Sequence, residues 1–129
     1  MKILILGYSS IFKKRILNVL IKNNIKFCVA SKSSAKKEKK AFNWYRDYNY
    51  ALNYSNADLV YISLPNSFHY YWAKKALNKN YHVIVDKPIS ENFSQAKNLV
   101  KIAKKKKKLI VEATFYNYHK QFDKALKSL

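Results

Sequence analysis

The chain alternates short, continuously apolar runs with longer segments whose apolar residues recur at helical spacing. This alternation predicts a parallel sheet with crossover helices, because the strands of such a sheet are buried on both faces. Strands are predicted at residues 2–6, 26–30, 58–64, 81–85 and 109–113, with a shorter strand near Tyr45. Helices are predicted at residues 11–22, 35–42 and 67–78, as a turn over residues 50–54, and from Ser90 or Asn92 to about Lys105.

Length and composition favour one packed domain. A chain of 129 residues, 49% of them hydrophobic, can bury a core of ordinary size, and no proline- or glycine-rich linker divides it. We therefore expect an α/β fold with a doubly wound, mostly parallel sheet of Rossmann type, as a single three-layer domain over residues 1–115. Ligands of such sheets bind at the carboxyl ends of the strands, so the loops that follow the strands are the candidate sites.

The formal charge of +19 is the feature that would point to a nucleic-acid partner. Only Arg15 and Arg46 among the 26 basic residues are arginine, whereas nucleic-acid sites favour arginine for its bidentate contacts. The lysine tract at residues 104–108 ends a predicted helix, where cations complement the helix dipole. The charge therefore favours solvated lysines over a dedicated nucleic-acid surface, and a basic Rossmann-like binding or adaptor module without catalysis stays the alternative.

Cys28 is the single cysteine, which excludes an internal disulfide and a paired-cysteine metal or redox site. It lies in an apolar stretch, so we expect a buried, inert thiol and no metal site. The apolar run near the start, at residues 3–6, is much shorter than a signal-peptide core or a membrane span. The sequence thus predicts a cytoplasmic chain without a membrane partner.

Gly7 directly follows the first strand and opens a helix, the position of the first glycine in the dinucleotide fingerprint GxGxxG. Ser9 and Phe12 stand at the other two glycine positions. Ser9 and Ser10 could still offer donors to a pyrophosphate at the helix start. A plain strand-to-helix turn with a serine N-cap would have the same sequence, so this loop alone leaves both interpretations open.

The end of the second strand bears on the choice of cofactor. An acidic residue about 20 positions after the glycines binds the free ribose 2′-hydroxyl of NAD, and none is present here. Ser31, Lys32 and Ser33 follow the strand instead, and their hydroxyls and cation could hold a 2′-phosphate. The segment therefore favours NADP over NAD, with an ordinary polar loop as the alternative.

Two further motifs follow predicted strands: Pro65-Asn66-Ser67-Phe68-His69 and Asp86-Lys87-Pro88. In this order they resemble the P-N-x-x-H and E-K-P segments of the Gfo/Idh/MocA oxidoreductase family. The resemblance implies that Lys87 is the catalytic lysine at the nicotinamide and substrate, with Asp86 in place of the usual glutamate. It also implies a cofactor site formed by Gly7, Ser9, Ser10, Ser31, Lys32, Ser33, Leu64, Pro65, Asn66, His69, Asp86, Lys87 and Pro88. Within that site His69 is expected to be structural.

The segment at residues 112–121 resembles the family's E-A-x-x-Y-R-x-H-P-Q linker, with Asn117 and Lys120 as departures. The resemblance implies that residues 116–129 begin a linker or helix towards a substrate domain that this chain does not contain. We therefore expect a truncated or split oxidoreductase acting on a sugar or polyol derivative, with a separate substrate domain or a homo-oligomeric partner. Such a chain would bind its dinucleotide but would be inactive alone. A decayed, non-functional product of a truncated gene is a further possibility that the sequence leaves open.

Overall fold

The computed structural model describes residues 1–32 and 38–114, together with Lys124, Lys127 and Ser128. Its centre is a six-stranded parallel sheet in the order β3-β2-β1-β4-β5-β6. The strands are β1 (Lys2–Leu6), β2 (Lys26–Ala30), β3 (Asn43–Tyr45), β4 (Leu59–Ile62), β5 (His82–Val85) and β6 (Ile110–Glu112). This is the doubly wound Rossmann-type order, and the predicted α/β fold is confirmed.

The helices lie on both faces of the sheet. The first crossover contains a π-helical segment (Phe12–Ile16) that continues into α1 (Leu17–Lys22). The others are α2 (Tyr48–Tyr54), a 3₁₀ turn (Asn66–Phe68) that leads into α3 (His69–Asn78), and α4 (Phe93–Lys106). Among the described residues, no helix combines the length and apolar character that a membrane crossing requires.

Both faces of the sheet are covered by apolar side chains, which explains the continuous apolar runs in the sequence. On β1, Leu4 and Leu6 face the core beneath α2, α3 and α4, and Ile3 and Ile5 face the core beneath the first crossover. Phe12 is fully buried in the second of these cores. The chain is therefore a three-layer sandwich of helices around one sheet.

Several predicted boundaries agree with the structure. Asn92 caps α4, its side-chain oxygen accepting a hydrogen bond from the Gln95 N–H at 3.0 Å. Asn80, with φ 64°, ends the α3 segment in the left-handed conformation.

The burial predicted for the single cysteine is also confirmed, since Cys28 is buried.

Other predicted boundaries are wrong. The helix predicted at residues 35–42 is not present at residues 38–42, which turn and enter β3; residues 33–37 lie outside the described part. The Phe42 N–H donates to the Phe27 carbonyl at 2.8 Å, so this segment is already bonded to β2. The strand predicted at residues 58–64 is shorter, since Ser63 and Leu64 leave the sheet at its carboxyl end.

Candidate functional site

The loops after β1, β4 and β5 meet at one edge of the sheet. β1 lies between β2 and β4, so the crossovers on its two sides run in opposite directions and open a crevice at its carboxyl end. Gly7 lies at this point, with φ 95°, and its N–H donates to the Ala30 carbonyl at 2.9 Å. A Cβ at this position would lie 2.2 Å from the Ser63 carbonyl oxygen, so only glycine fits.

A chain of hydrogen bonds links the Gly7 loop to the Asp-Lys-Pro segment. The Phe12 N–H donates to Ser9 Oγ at 3.0 Å, and Ser9 Oγ lies 2.6 Å from Ser63 Oγ. Ser63 Oγ donates in turn to Asp86 Oδ2 at 2.7 Å. Because a carboxylate only accepts, the Ser63 proton is directed to Asp86, and the Ser9 hydroxyl must be the donor to Ser63.

Asp86 faces the protein interior. Its side chain is buried and accepts a second hydrogen bond from the Tyr61 hydroxyl. Burial, followed by the hydrogen bond to Asp86 and its negative charge, raises the pKa of Tyr61 well above its ordinary value. Lys87, the next residue, is exposed and is joined to Pro88 by a cis peptide bond. The two charged residues of the segment therefore differ in exposure: Asp86 is held by hydroxyls from the protein interior, whereas Lys87 is open to solvent.

His69 connects the two motif-bearing loops. Its side chain is fully buried, with Nε2 2.7 Å from the Leu64 carbonyl oxygen and Nδ1 2.7 Å from the Pro88 carbonyl oxygen. Both atoms that face the ring are backbone acceptors. The structure therefore gives His69 a position that ties the loop after β4 to the loop after β5.

Two cavities lie at this edge of the sheet. One, of about 510 Å³, is mainly apolar and aromatic and is lined by Lys32, Tyr48, Leu64, Pro65, Phe68, Tyr71 and Trp72. The other, of about 400 Å³, is lined by Ser10, Ile11, Lys14, Arg15, Asp86 and Lys87. We name them the aromatic cavity and the basic cavity. Both have the volume of ordinary small-molecule sites.

The predicted site residues divide between these cavities. Lys32, Leu64 and Pro65 line the aromatic cavity, whereas Ser10, Asp86 and Lys87 line the basic cavity. The other predicted site residues that the structure describes line neither of the two cavities. Gly7 and Ser9 form the loop after β1, Ser31 is buried beside β3, Asn66 is exposed at the start of the 3₁₀ turn, and His69 and Pro88 are bonded to each other. Ser33 lies outside the described residues.

Lys14 and Arg15 were not anticipated from the sequence. They follow Ser10 and Ile11 by four residues, the spacing that places side chains on one face of a helix. This spacing was the available signal, but lysines are so frequent in this chain that it did not stand out. No group of three or more His, Cys, Asp or Glu side chains able to hold a metal ion occurs in the described part of the chain.

Residues 1–114 match the model of an oxidoreductase family with an NAD-binding Rossmann fold, Gfo/Idh/MocA. The chain belongs to this family. The resemblance drawn from the Pro-Asn and Asp-Lys-Pro motifs is thereby confirmed, and the chain is an NAD-binding Rossmann domain of a Gfo/Idh/MocA oxidoreductase.

Two relatives illustrate how much of such a protein is present. A dTDP-3,4-didehydro-2,6-dideoxy-α-D-glucose 3-reductase from Saccharopolyspora spinosa is 30% identical over 125 residues, which cover 92% of this chain and 38% of the reductase. The uncharacterized oxidoreductase YdgJ of Escherichia coli is 46% identical over 52 residues, 40% of this chain and 15% of that protein. The chain therefore spans well under half the length of these family members.

Solved structures agree on the fold. A 3-ketoreductase from Actinomadura kijaniata, crystallised with TDP-benzene and NADP in an open conformation, superposes with a TM-score of 0.90 at 23% identity. The match covers 98% of this chain and 42% of the ketoreductase. At this identity the likeness shows the shared Rossmann fold.

Proposed function

We propose that the chain binds its dinucleotide across the crevice at Gly7, with the adenosine half in the aromatic cavity and the nicotinamide half in the basic cavity. The observation that carries this proposal is that only glycine fits at position 7, while residues that follow β2 and β4 line one cavity and residues that follow β1 and β5 line the other. That loop can approach the pyrophosphate closely, as the first turn of the fingerprint requires. The dinucleotide then spans the topological switch point of the sheet.

The aromatic cavity suits an adenine ring. Tyr71 and Trp72 contribute aromatic surface to its wall, and their rings meet edge to face with centroids 5.0 Å apart. A flat heterocycle gains from both burial and stacking on such side chains. Leu64 and Pro65 supply the apolar side of the same cavity, beyond the end of β4.

Lys32 supports a preference for NADP. It lies at the end of β2 and lines the aromatic cavity, with Nζ 5.6 Å from the centre of the Tyr48 ring. Its ammonium group can form a charge-assisted hydrogen bond with a 2′-phosphate, and the segment at residues 30–34 contains no carboxylate to repel that phosphate. Ser31 and Ser33 are included in this proposal as neighbouring hydroxyls.

Lys87 is proposed as the catalytic residue. It is exposed into the basic cavity, where its ammonium group would lie beside the reacting carbon of a sugar or polyol derivative. A cation there stabilises the alkoxide charge that develops during hydride transfer, and the nicotinamide supplies the hydride chemistry. Since the relatives are much longer than this chain, turnover is proposed to need a substrate domain in addition to this Rossmann domain.

Dinucleotide binding is tested by fluorescence titration of the purified chain with NADPH and NADH. We expect saturable binding with NADPH the tighter ligand. Lys32→Gln should weaken NADPH binding by about 10-fold or more, since a hydrogen bond to a charged group is worth about 1.5–3 kcal/mol, and should leave NADH unchanged. Lys101→Gln, an exposed lysine on α4, is the matched control.

Saturable binding of neither nucleotide would refute the proposal. Oligonucleotide binding with a steep salt dependence that saturating NADPH leaves unchanged would instead support the basic adaptor module. An NADPH preference that survives in Lys32→Gln would remove Lys32 from the site without removing the dinucleotide.

A further inference from the structure

We infer that the substrate carries an anionic group, a phosphate or a carboxylate, which Lys14 and Arg15 bind in the basic cavity on the wall that the first crossover helix provides. This inference rests on the proposed function, because it assigns to the substrate the part of the basic cavity that the nicotinamide half of the cofactor does not occupy. It adds two binding residues beyond the Lys87 of the family motif.

The charge of the basic cavity is the first argument. Lys14, Arg15 and Lys87 contribute three cations to its lining, and Asp86 contributes one carboxylate. Both oxygens of Asp86 are already engaged, by the hydroxyls of Tyr61 and Ser63 from inside the protein. The cavity therefore presents an excess of positive charge to a bound molecule.

None of the three cations forms an ion pair within the part of the chain that the structure describes. Lys13, their neighbour, differs because its Nζ lies 5.1 Å from the centre of the Tyr8 ring, where the cation is stabilised by the aromatic face. Cations that share a cavity without a carboxylate partner repel one another, and an anion between them relieves this repulsion. A bound phosphate or carboxylate would supply that negative charge.

Arg15 is the second argument. The chain has 26 basic residues and only two arginines, and one of these two lines the basic cavity. A guanidinium group binds carboxylate and phosphate through two parallel hydrogen bonds, which an ammonium group cannot do. Of the three basic residues that line this cavity, the one that is not a lysine is thus the one best suited to bind an oxyanion.

The position of Lys14 and Arg15 along the helix is the third argument. They lie four and five residues after Ser10, in the π-helical segment of the first crossover. The Gly7 loop, where the pyrophosphate of the cofactor is proposed to lie, ends at Ser10. The two cations therefore extend the basic region past that loop, along the wall of the cavity that also holds Lys87.

The experiment uses the purified chain and titrates it first with NADPH. The NADPH-saturated chain is then titrated with glucose 6-phosphate, with glucuronate and with uncharged glucose, and binding is followed by ¹⁵N NMR, which reports millimolar affinities. The test variant is Lys14→Gln/Arg15→Gln, and the control is Lys101→Gln/Lys105→Gln, two exposed lysines on α4. Arg15→Lys tests the role of the guanidinium group, and circular dichroism verifies that each variant is folded.

We expect glucose 6-phosphate or glucuronate to bind the NADPH-saturated chain at least about tenfold more tightly than glucose. The double variant at residues 14 and 15 should lose this advantage, Arg15→Lys should lose part of it, and the control should keep it. NADPH affinity should change less than about threefold in all of them. Which of the two anions binds more tightly identifies phosphate or carboxylate as the group recognised.

Equal binding of the anionic probes and glucose would overturn the inference, as would unchanged anion binding in the double variant. A loss of NADPH affinity of tenfold or more in that variant would assign Lys14 and Arg15 to the cofactor's own pyrophosphate; this outcome overturns the inference and leaves the proposed function standing. Absence of NADPH binding in the unmodified chain overturns both. The NADPH titration thus separates the two failures.

Discussion

Gly7 has φ 95° and faces the backbone of Ser63, so an alanine at this position meets two obstacles at once. The left-handed backbone costs a non-glycine residue about 1–2 kcal/mol. The new Cβ would also lie 2.2 Å from the Ser63 oxygen and 2.9 Å from its carbonyl carbon, so Ser63 must move by more than about 1 Å to restore an ordinary van der Waals contact. That movement acts on atoms of the backbone, which cannot rotate away.

A displaced Ser63 loses two hydrogen bonds, from its N–H to the Leu6 carbonyl at 2.8 Å and from its hydroxyl to Asp86 at 2.7 Å. The first is worth about 1 kcal/mol and the second, to a carboxylate, about 1.5–3 kcal/mol. Together with the backbone term, Gly7→Ala should lower the free energy of unfolding by about 3.5–6 kcal/mol, a large share of the total of about 5–15 kcal/mol for a domain. Urea denaturation followed by circular dichroism measures this change.

Asn80→Ala is the matched control, because Asn80 also has a left-handed backbone, with φ 64°, and already carries a Cβ, so the substitution adds no atom that could clash. It should cost about 1 kcal/mol, which isolates the backbone term. If Gly7→Ala and Asn80→Ala destabilise the chain equally, the close approach of Gly7 to Ser63 contributes nothing and the reasoning is refuted. A Gly7→Ala chain that also keeps its NADPH affinity would exclude any role of this approach in cofactor binding.

Three further predictions concern other parts of the chain. Asn92→Ala removes the cap of α4 and should lower the free energy of unfolding by about 1 kcal/mol, as measured by urea denaturation. The control Asn78→Ala removes an exposed asparagine that caps no helix N-terminus, and it should change the free energy of unfolding by less than about 0.5 kcal/mol. Burial and the hydrogen bond to Glu38 raise the pKa of Tyr8 to about 12, so between about pH 10 and 12 the folded chain binds more protons than the unfolded chain. The free energy of unfolding should therefore fall as the pH rises through this range, and equal denaturation midpoints at about pH 9 and 11 would contradict it. Burial raises the pKa of the Cys28 thiol, so an aromatic disulfide reagent should label it in urea and leave it unlabelled in the folded chain.

The strands and the doubly wound type of sheet could be predicted from the sequence because continuously apolar runs, buried on both faces, alternate with segments of helical spacing. Right-handed crossovers then leave few ways to arrange them. The segment before β3 was not predictable in the same way. Its charged residues have the composition of a helix, but its Phe42 N–H bonds to Phe27, which lies in a strand 15 residues earlier in the chain. Local propensity gave way to a tertiary contact there.

The candidate site shows the same division. Motif positions after β1, β4 and β5 predicted which loops converge, since the carboxyl ends of parallel strands share one edge of the sheet. They did not predict that Asp86 turns inward while Lys87 is exposed. That orientation depends on the hydroxyls of Tyr61 and Ser63, which lie 25 and 23 residues away in sequence and become neighbours only through the pairing of β4 with β5.

The two missing glycines of the fingerprint are replaced by contacts of a different kind. Ser9 accepts from the Phe12 N–H and donates to Ser63, so its hydroxyl is held against the sheet. Phe12 fills the space that a third glycine would leave for close packing, and its ring lies 6.4 Å from that of Phe27 and 6.5 Å from that of Tyr61.

These replacements couple the loop after β1 to the Asp-Lys-Pro segment. Tyr61 contacts Phe12 with its ring and Asp86 with its hydroxyl, while Ser63 bonds to both Ser9 and Asp86. A family member with glycine at the positions of Ser9 and Phe12 lacks the side chains that make these links. In this chain the geometry of the Gly7 loop and the position of Asp86 are therefore set by one hydrogen-bonded unit, and a substitution of Tyr61 in β4 acts on both.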